Sequence, residues 1–446
     1  MIRATKKLTE AGVKEAIGWS ACMLQLAVEF ESNNYVEEFV DYLDRSVLGL
    51  HLHLDGNNLV STYDQISIQK LPSYVNSLSE ASLFCYENLT PRGVESLKKG
   101  FSVVAVGDRK VVLHIPHELG DGGYFKFLIH DFLKNSMKIS PHISQNFQKV
   151  SQINSSKSAS NCCSNFPPFP ISPHDVFANE IQKAPVGHLL LDDPDISRII
   201  PHDHPQGGNK SNFLAFSITP SQMKAYNQSK NGKLSNFSEL QWLSLYLAGC
   251  AHDGKIYDHA GIASCMDMRG YLKNKPTLGH CLFISSLTNR VDNISPNMSL
   301  FDVGRKLRQS FQERLSLGKH FSFIKAGSPG VKHEFLKGRP LEISNVGAFN
   351  IRHPISDVYI SLHTDDFPDH THITLTGFSR QKYDTNGKAE GENKIHFRMM
   401  YNPNQIGGRE MEAFGRTVEH NLQNLTFGQT VGDAYETARR FYQYIY

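Results

Sequence analysis

The stretch from Lys110 to Leu133 constrains the fold most, because a strand, a tight turn and an amphipathic helix follow one another in quick succession. Lys110-Val111-Val112-Leu113-His114-Ile115 has the length and apolar character of a buried strand, and the hairpin pair Gly107-Asp108 precedes it. Phe125, Leu128, Ile129, Phe132 and Leu133 recur at helical spacing, with Asp121 or Gly122 where an N-cap falls. Between strand and helix lies His117-Glu118-Leu119-Gly120-Asp121-Gly122. A histidine on such a loop reaches a cleft while its backbone stays anchored in a sheet, as a general base requires. The competing reading, for any one of 21 histidines, is a satisfied surface or core residue.

Elsewhere strands alternate with helices. A helix is expected around Val36 to Leu48, and strands at His51 to Leu54 and Phe101 to Ile115. Later in the chain, Phe213 to Ile218 and Lys394 to Tyr401 read as strands, and Glu239 to Ala251 and Met411 to Leu425 as helices. This alternation predicts an α/β fold, with mixed sheets covered by helices. From about residue 139 to 175, Ser, Asn, Pro and Gln displace apolar residues, as in Ser155-Ser156-Lys157-Ser158 and Phe166-Pro167-Pro168-Phe169-Pro170. That segment reads as an interlobe linker or a mobile loop, dividing a first lobe, 1–170, from a second, 171–446. The run His202-Asp203-His204-Pro205 to Asn209 marks a second break.

His117-x-x-x-Asp121-Gly122 resembles the HxxxDG signature of the acyltransferase superfamily that shares the chloramphenicol acetyltransferase fold. Alcohol acetyltransferases, plant BAHD enzymes, polyketide-associated acyltransferases and condensation domains of peptide synthetases belong to it. Three further segments are similar to family features and occur in the family's order. They are Cys265-Met266-Asp267-Met268-Arg269-Gly270-Tyr271-Leu272, Ile343-Ser344-Asn345-Val346-Gly347 and Asn236-Phe237-Ser238-Glu239-Leu240. In the last, Asn236 and Glu239 also have capping-box spacing. The resemblance implies two lobes of one topology with the active-site channel between them. It also implies direct acyl transfer, with His117 as base and no covalent acyl-enzyme.

Asp121 has two open roles: it orients His117 as in a triad, or it caps the helix and pairs with a buried arginine. The resemblance implies the second, with Arg269 as partner. Gly122 and Gly123 fit a turn where a side chain would crowd the approach to His117 or strain the backbone. Ser344 and Asn345 are candidates for polar contacts to the oxyanion or the donor's pantetheine arm, the alternative being a turn whose side chains bond their own backbone. Pro116 stands where some relatives double the histidine, and the Asp-Phe-Gly-Trp-Gly segment of plant enzymes is absent.

These features lead to an acyltransferase moving an acyl group from a coenzyme A thioester to a hydroxyl or amine of a small molecule. A condensation-type enzyme using an acyl-carrier protein is the enzymatic alternative, and a non-catalytic binding relative is the alternative of another class. Acyl-CoA enters as co-substrate, with no permanently bound cofactor expected. Lys and Arg number 46 against 44 Asp and Glu, a net charge of +2, which gives nucleic-acid binding no support. Ile2-Arg3-Ala4-Thr5-Lys6-Lys7 lacks the apolar core of a secretory signal, no apolar run has membrane-spanning length, and the seven cysteines are odd in number. A cytoplasmic monomer with free thiols, Cys162 and Cys163 included, is expected. The Asn88 and Asn424 sequons are then accidental. No metal is expected: His363, Asp366, His370 and His372, like His202 and His204, lack a known ligand spacing.

Overall fold

The computed structural model describes residues 2–139, 167–202, 212–225, 236–327, 332–334, 336–364, 373–384 and 386–446. Most of the expected linker, with Cys162 and Cys163, lies outside the described residues, as do His204, Asp366, His370 and His372. Two large sheets organise what is described. The first runs, edge to edge, Ile355–Thr364, Cys22–Phe30, Lys110–Pro116, Val103–Gly107 and Ile68–Lys70. The second runs Ile284–Val291, Ala260–Asp267, Arg339–Ile351, Ile373–Tyr383, Ala389–Tyr401 and Asn212–Ile218, with Arg198–Ile199 paired to the start of Arg339–Ile351. Both are mixed. Ile68–Lys70 runs parallel to its neighbour in the first, and Arg339–Ile351 runs parallel to both of its long neighbours in the second.

Strand period explains how the first sheet is covered on two faces. Val111, Leu113 and Ile115 point into one core with the helices Asn34–Ser46 and Gly122–Ile139, whereas Val112 points into another beneath the helix Leu78–Leu89. The chain between Val103–Gly107 and Lys110–Pro116 turns through Asp108 and Arg109, the latter at φ 53°. In the second lobe the helix Phe237–His252 is buried on every side from Glu239 onward. It packs among Leu300–Ser316, Gly408–Asn424 and Val431–Ile445 against the sheet, which is why its sequence is apolar all round rather than striped. Among the described residues no helix is long and apolar enough to cross a membrane.

One expected detail does not form. Asn236 precedes its helix in the left-handed region, φ 57°, without a side-chain cap bond. The Glu239 carboxylate instead accepts from Arg308 Nε at 2.6 Å and Nη2 at 3.0 Å. A charge-assisted fork on the neighbouring helix outcompetes a local cap.

The two lobes interlock through strands. Ile355–Thr364 follows residue 170 by a wide margin, yet it pairs antiparallel with Cys22–Phe30 in the first sheet. The far ends of Arg339–Ile351 and Ile373–Tyr383 also leave the second core, and Phe349, Ile351 and Phe378 pack into the first. Phe349 is 1% exposed. Phe349→Ala is expected to cost about 3–5 kcal/mol, the usual penalty for emptying a buried phenylalanine site. Urea unfolding followed by both far-UV and aromatic signals should shift as one transition. Two separated transitions, with only one displaced, would contradict the interlock.

Candidate active site

Two histidines on one strand end in different environments. His114 is fully buried, with Nδ1 3.0 Å from Gln25 Nε2 and Nε2 3.1 Å from Thr90 Oγ1. Burial drives its pKa down to about 3, so it is a neutral core residue. His117 is past the last paired residue, Pro116, which registers with Met23. Pro116 has no N–H for the ladder, and His117–Leu119 closes a single 3-10 turn with Leu119 buried as its anchor.

His117 is half-buried, and its Nδ1 lies 2.9 Å from the Gly120 carbonyl oxygen. A carbonyl only accepts, so this contact assigns the proton to Nδ1 and leaves the lone pair on Nε2. A histidine held in that tautomer is ready to accept a proton at Nε2.

Asp121 is turned elsewhere. Its carboxylate, 1% exposed, accepts from Arg269 Nη1 and Nη2, each at 2.9 Å, from the Tyr124 N–H at 2.7 Å and from the Phe283 N–H at 2.7 Å. The Tyr124 bond makes Asp121 the cap of Gly122–Ile139. The other three reach across to the second lobe. Arg269 is saturated in turn, donating to Asp267 Oδ1 and to the carbonyls of His280 and Cys281. Burial disfavours the guanidinium charge, but Asp121 and Asp267 outweigh it and raise the pKa of Arg269 further.

The glycines after Asp121 make room for the opposite lobe rather than for His117. A Cβ on Gly122 would sit 2.5 Å from Val346 Cγ2, and one on Gly123 would sit 2.5 Å from Asp267 Oδ2. Neither residue has a positive φ, so turn strain is not the reason. Val346 sits where Arg339–Ile351 bulges, between Asn345 and Gly347, and Gly347 takes φ 93°. Ser344 and Asn345 immediately precede that bulge.

Both candidates already have partners. The amide of Asn345 exchanges two hydrogen bonds with Gln241, at 2.8 and 3.1 Å, so the segment is a strand bulge and not a self-bonded turn. Ser344 is half-buried beside the Cys265 thiol. Gln241 escaped sequence reasoning because it sits in a run that reads wholly as core, and only the tertiary pairing exposes its role.

Glu118 is the other residue missed. Burial lifts its carboxyl to about 7, with the His117 charge pulling the other way, and its Oε2 is buried without a hydrogen-bond partner. A carboxyl next to the motif histidine was visible in the sequence, but its desolvation was not.

His363, expected to lie in a possible ligand segment, is stacked on Tyr86 at 4.6 Å and contacts Arg398 Nη2 at 3.1 Å. Burial and the neighbouring Arg398 charge hold its pKa well below the ordinary value. It is packing, not a ligand.

No family model matches this sequence, and no curated protein is similar to it. Solved structures share its fold. The first condensation domain of the calcium-dependent antibiotic synthetase superposes with TM-score 0.57 at 10% identity, covering 97% of this chain and 98% of its own. Polyketide synthase associated protein 5 from Mycobacterium tuberculosis gives 0.53 at 11% identity, covering 93% and 96%. The epimerization domain from the third module of tyrocidine synthetase B gives 0.51 at 12% identity, covering 98% and 99%. The chain therefore has the two-lobed α/β fold of condensation domains, the arrangement of the chloramphenicol acetyltransferase type.

Proposed function

We propose that the protein transfers an acyl group from a pantetheine-linked thioester to an amine or hydroxyl, with His117 as the catalytic base. The observation that carries this reading is the Nδ1–H bond to Gly120, which leaves Nε2 unprotonated at the turn between the lobes. Nε2 takes the proton of the acceptor as its N or O attacks the thioester carbonyl. The tetrahedral oxyanion then collapses, the C–S bond breaks, and the imidazolium returns its proton to the departing thiolate. General-base help of this kind contributes about 10²–10⁴ in rate.

Ser344 is the better candidate for an oxyanion contact, since Asn345 must first release Gln241. Asp121 and Arg269 act as scaffold, and Gly122 lets the bulge at Val346 close on the turn.

A carrier-protein-bound donor is favoured over coenzyme A. Condensation domains of synthetases, which work on carrier-bound thioesters, are among the structures sharing the fold, and no observation here favours free coenzyme A. The donor is tested by offering acyl-carrier protein and acyl-CoA separately, with a panel of amines and alcohols. Transfer from the carrier, lost about 10²-fold or more in His117→Ala, is expected. Transfer from acyl-CoA alone would overturn the donor, and activity unchanged in His117→Ala would overturn the base. Asp121→Asn is expected to reduce activity differently, through a loss of about 3–5 kcal/mol in stability, because it leaves Arg269 buried beside a neutral group.

Glu118 gives a pH dependence of known sign. Its carboxyl is raised from 4.5 to about 7 on folding, so the folded state binds the proton more tightly than the unfolded chain. Its stabilising contribution is complete below about 4.5 and is lost as pH rises through 7. Glu118→Gln should therefore gain on the wild type by about 1–3 kcal/mol between pH 5 and pH 8. Parallel stability profiles over that range would remove the desolvated carboxyl from the site.

A further inference from the structure

Among the described residues, the buried cation Arg398 has no counter-charge. It lies on the strand Ala389–Tyr401, 7% exposed, with no carboxylate among its electrostatic neighbours. Its Nε is buried without a hydrogen-bond partner. Building on the acyl-transfer reading above, we infer that Arg398 is an anion subsite for a carboxylate carried by the acyl group or by the acceptor.

Strand register places the residue. Ser344, Thr376 and Arg398 are directly opposite one another on three neighbouring strands, so their side chains leave the same face of the second sheet. The adjacent row, Ile343, Leu375 and Met399, points the other way, into the helix-covered core. The Ser344 row therefore faces the first lobe, and Arg398 reaches it. Its Nη2 is 3.1 Å from His363 Nδ1 and 3.2 Å from His363 Nε2, on the edge strand Ile355–Thr364. Ser344 and Thr376 are only half-buried, so the row is open to a ligand.

The same register ties Arg398 to the chemistry. His363 is opposite Met23, and Met23 is opposite Pro116, the residue before His117. At the backbone Arg398 is two strand spacings, about 10 Å, from Ser344, and it touches a residue the same interval from Pro116. A substrate reacting there would present its carboxylate several bonds from the reacting atom.

The local contacts do not neutralise the guanidinium. Burial and the Arg398 charge hold the His363 pKa well below its ordinary value, so that ring offers a hydrogen bond and no counter-charge. Tyr359 adds a side-chain hydrogen bond, and Phe213 covers one planar face, its ring centroid 3.6 Å from the guanidinium carbon. Stacking on the face leaves the edge, where a carboxylate meets an arginine as a fork. Burial lowers the Arg398 pKa to about 10, so the group stays charged at neutral pH. An unpaired charge in that setting is unfavourable, and a bound substrate anion relieves it. The pantetheine phosphate suits the site less, because it is at the far end of the arm from the thioester.

Two pairs of probes separate the sources of the carboxylate. Glutaryl-pantetheine and pentanoyl-pantetheine differ by a carboxylate on the donor, and 5-aminopentanoate and 5-aminopentanamide by one on the acceptor. Binding to the full chain is measured by calorimetry, with His117→Ala alongside so that the readout is independent of turnover. In one pair the carboxylate probe should bind the wild type and His117→Ala more tightly than its neutral analogue. Arg398→Gln should weaken the carboxylate probe alone, by about 10–100-fold, the usual worth of a hydrogen bond to a charged group. Arg398→Lys, which keeps the charge but loses the fork, should retain part of the preference and reports on the site if Arg398→Gln does not fold. Carboxylate binding without acyl transfer from any donor would remove the enzymatic reading and leave the subsite. A wild type with no carboxylate preference in either pair, or substitutions at Arg398 that weaken both members of a pair equally, would overturn the subsite.

Discussion

The bidentate pair of Asp121 and Arg269 is the interaction on which the site depends. One carboxylate caps the helix that follows the motif, accepts a backbone N–H from Phe283 and receives a guanidinium fork from the opposite lobe. Each of its oxygens therefore has two donors, and the cost of burying the charge is met by full coordination rather than by exposure. The turn that carries His117 is held at both ends, by strand pairing at Pro116 and by this carboxylate at Asp121. Everything in between has little freedom, which is why a single backbone carbonyl, that of Gly120, suffices to fix the imidazole tautomer.

The same side chain type does three different jobs, and backbone setting decides which. His114, three residues before His117, points into a polar pocket lined by Gln25 and Thr90 and stays neutral. His117 leaves the sheet on a single 3-10 turn and is half-buried. His252 ends a buried helix among carboxylates. Sequence patterns gave no separation of these environments beyond position on a strand or at its end.

What was legible in the sequence follows from local physics. Strand period and the apolar face from Phe125 to Leu133 located the motif's strand and helix, because each element satisfies its own backbone and shows its buried face as a repeat. The all-round apolar helix from Phe237 was also visible, since burial on every side leaves no stripe to misread. Long-range facts were not legible from the residues alone. Nothing local announces that Ile355–Thr364 pairs with Cys22–Phe30, that Val346 bulges against Gly122, or that Glu239 prefers Arg308 to the cap of its own helix. The pairing of Asn345 with Gln241 is of this kind too: two amides 104 positions apart become partners only once the strand and helix are stacked. Gly122 likewise makes room for the facing lobe rather than for the histidine.

The electrostatic setting of His117 joins these points. Glu118 is desolvated beside it, so the histidine has a neutral neighbour at low pH and an anionic one above about 7. The Gly120 carbonyl holds the neutral ring in one tautomer. The central claim is that Nε2, and not Nδ1, is the basic nitrogen. It is tested most directly by ¹⁵N NMR of histidine-labelled protein at alkaline pH, with His117 assigned by comparison with His117→Gln. The expected spectrum shows neutral His117 with a protonated Nδ1 and a pyridine-like Nε2. A neutral ring protonated at Nε2 would contradict the assignment of the base.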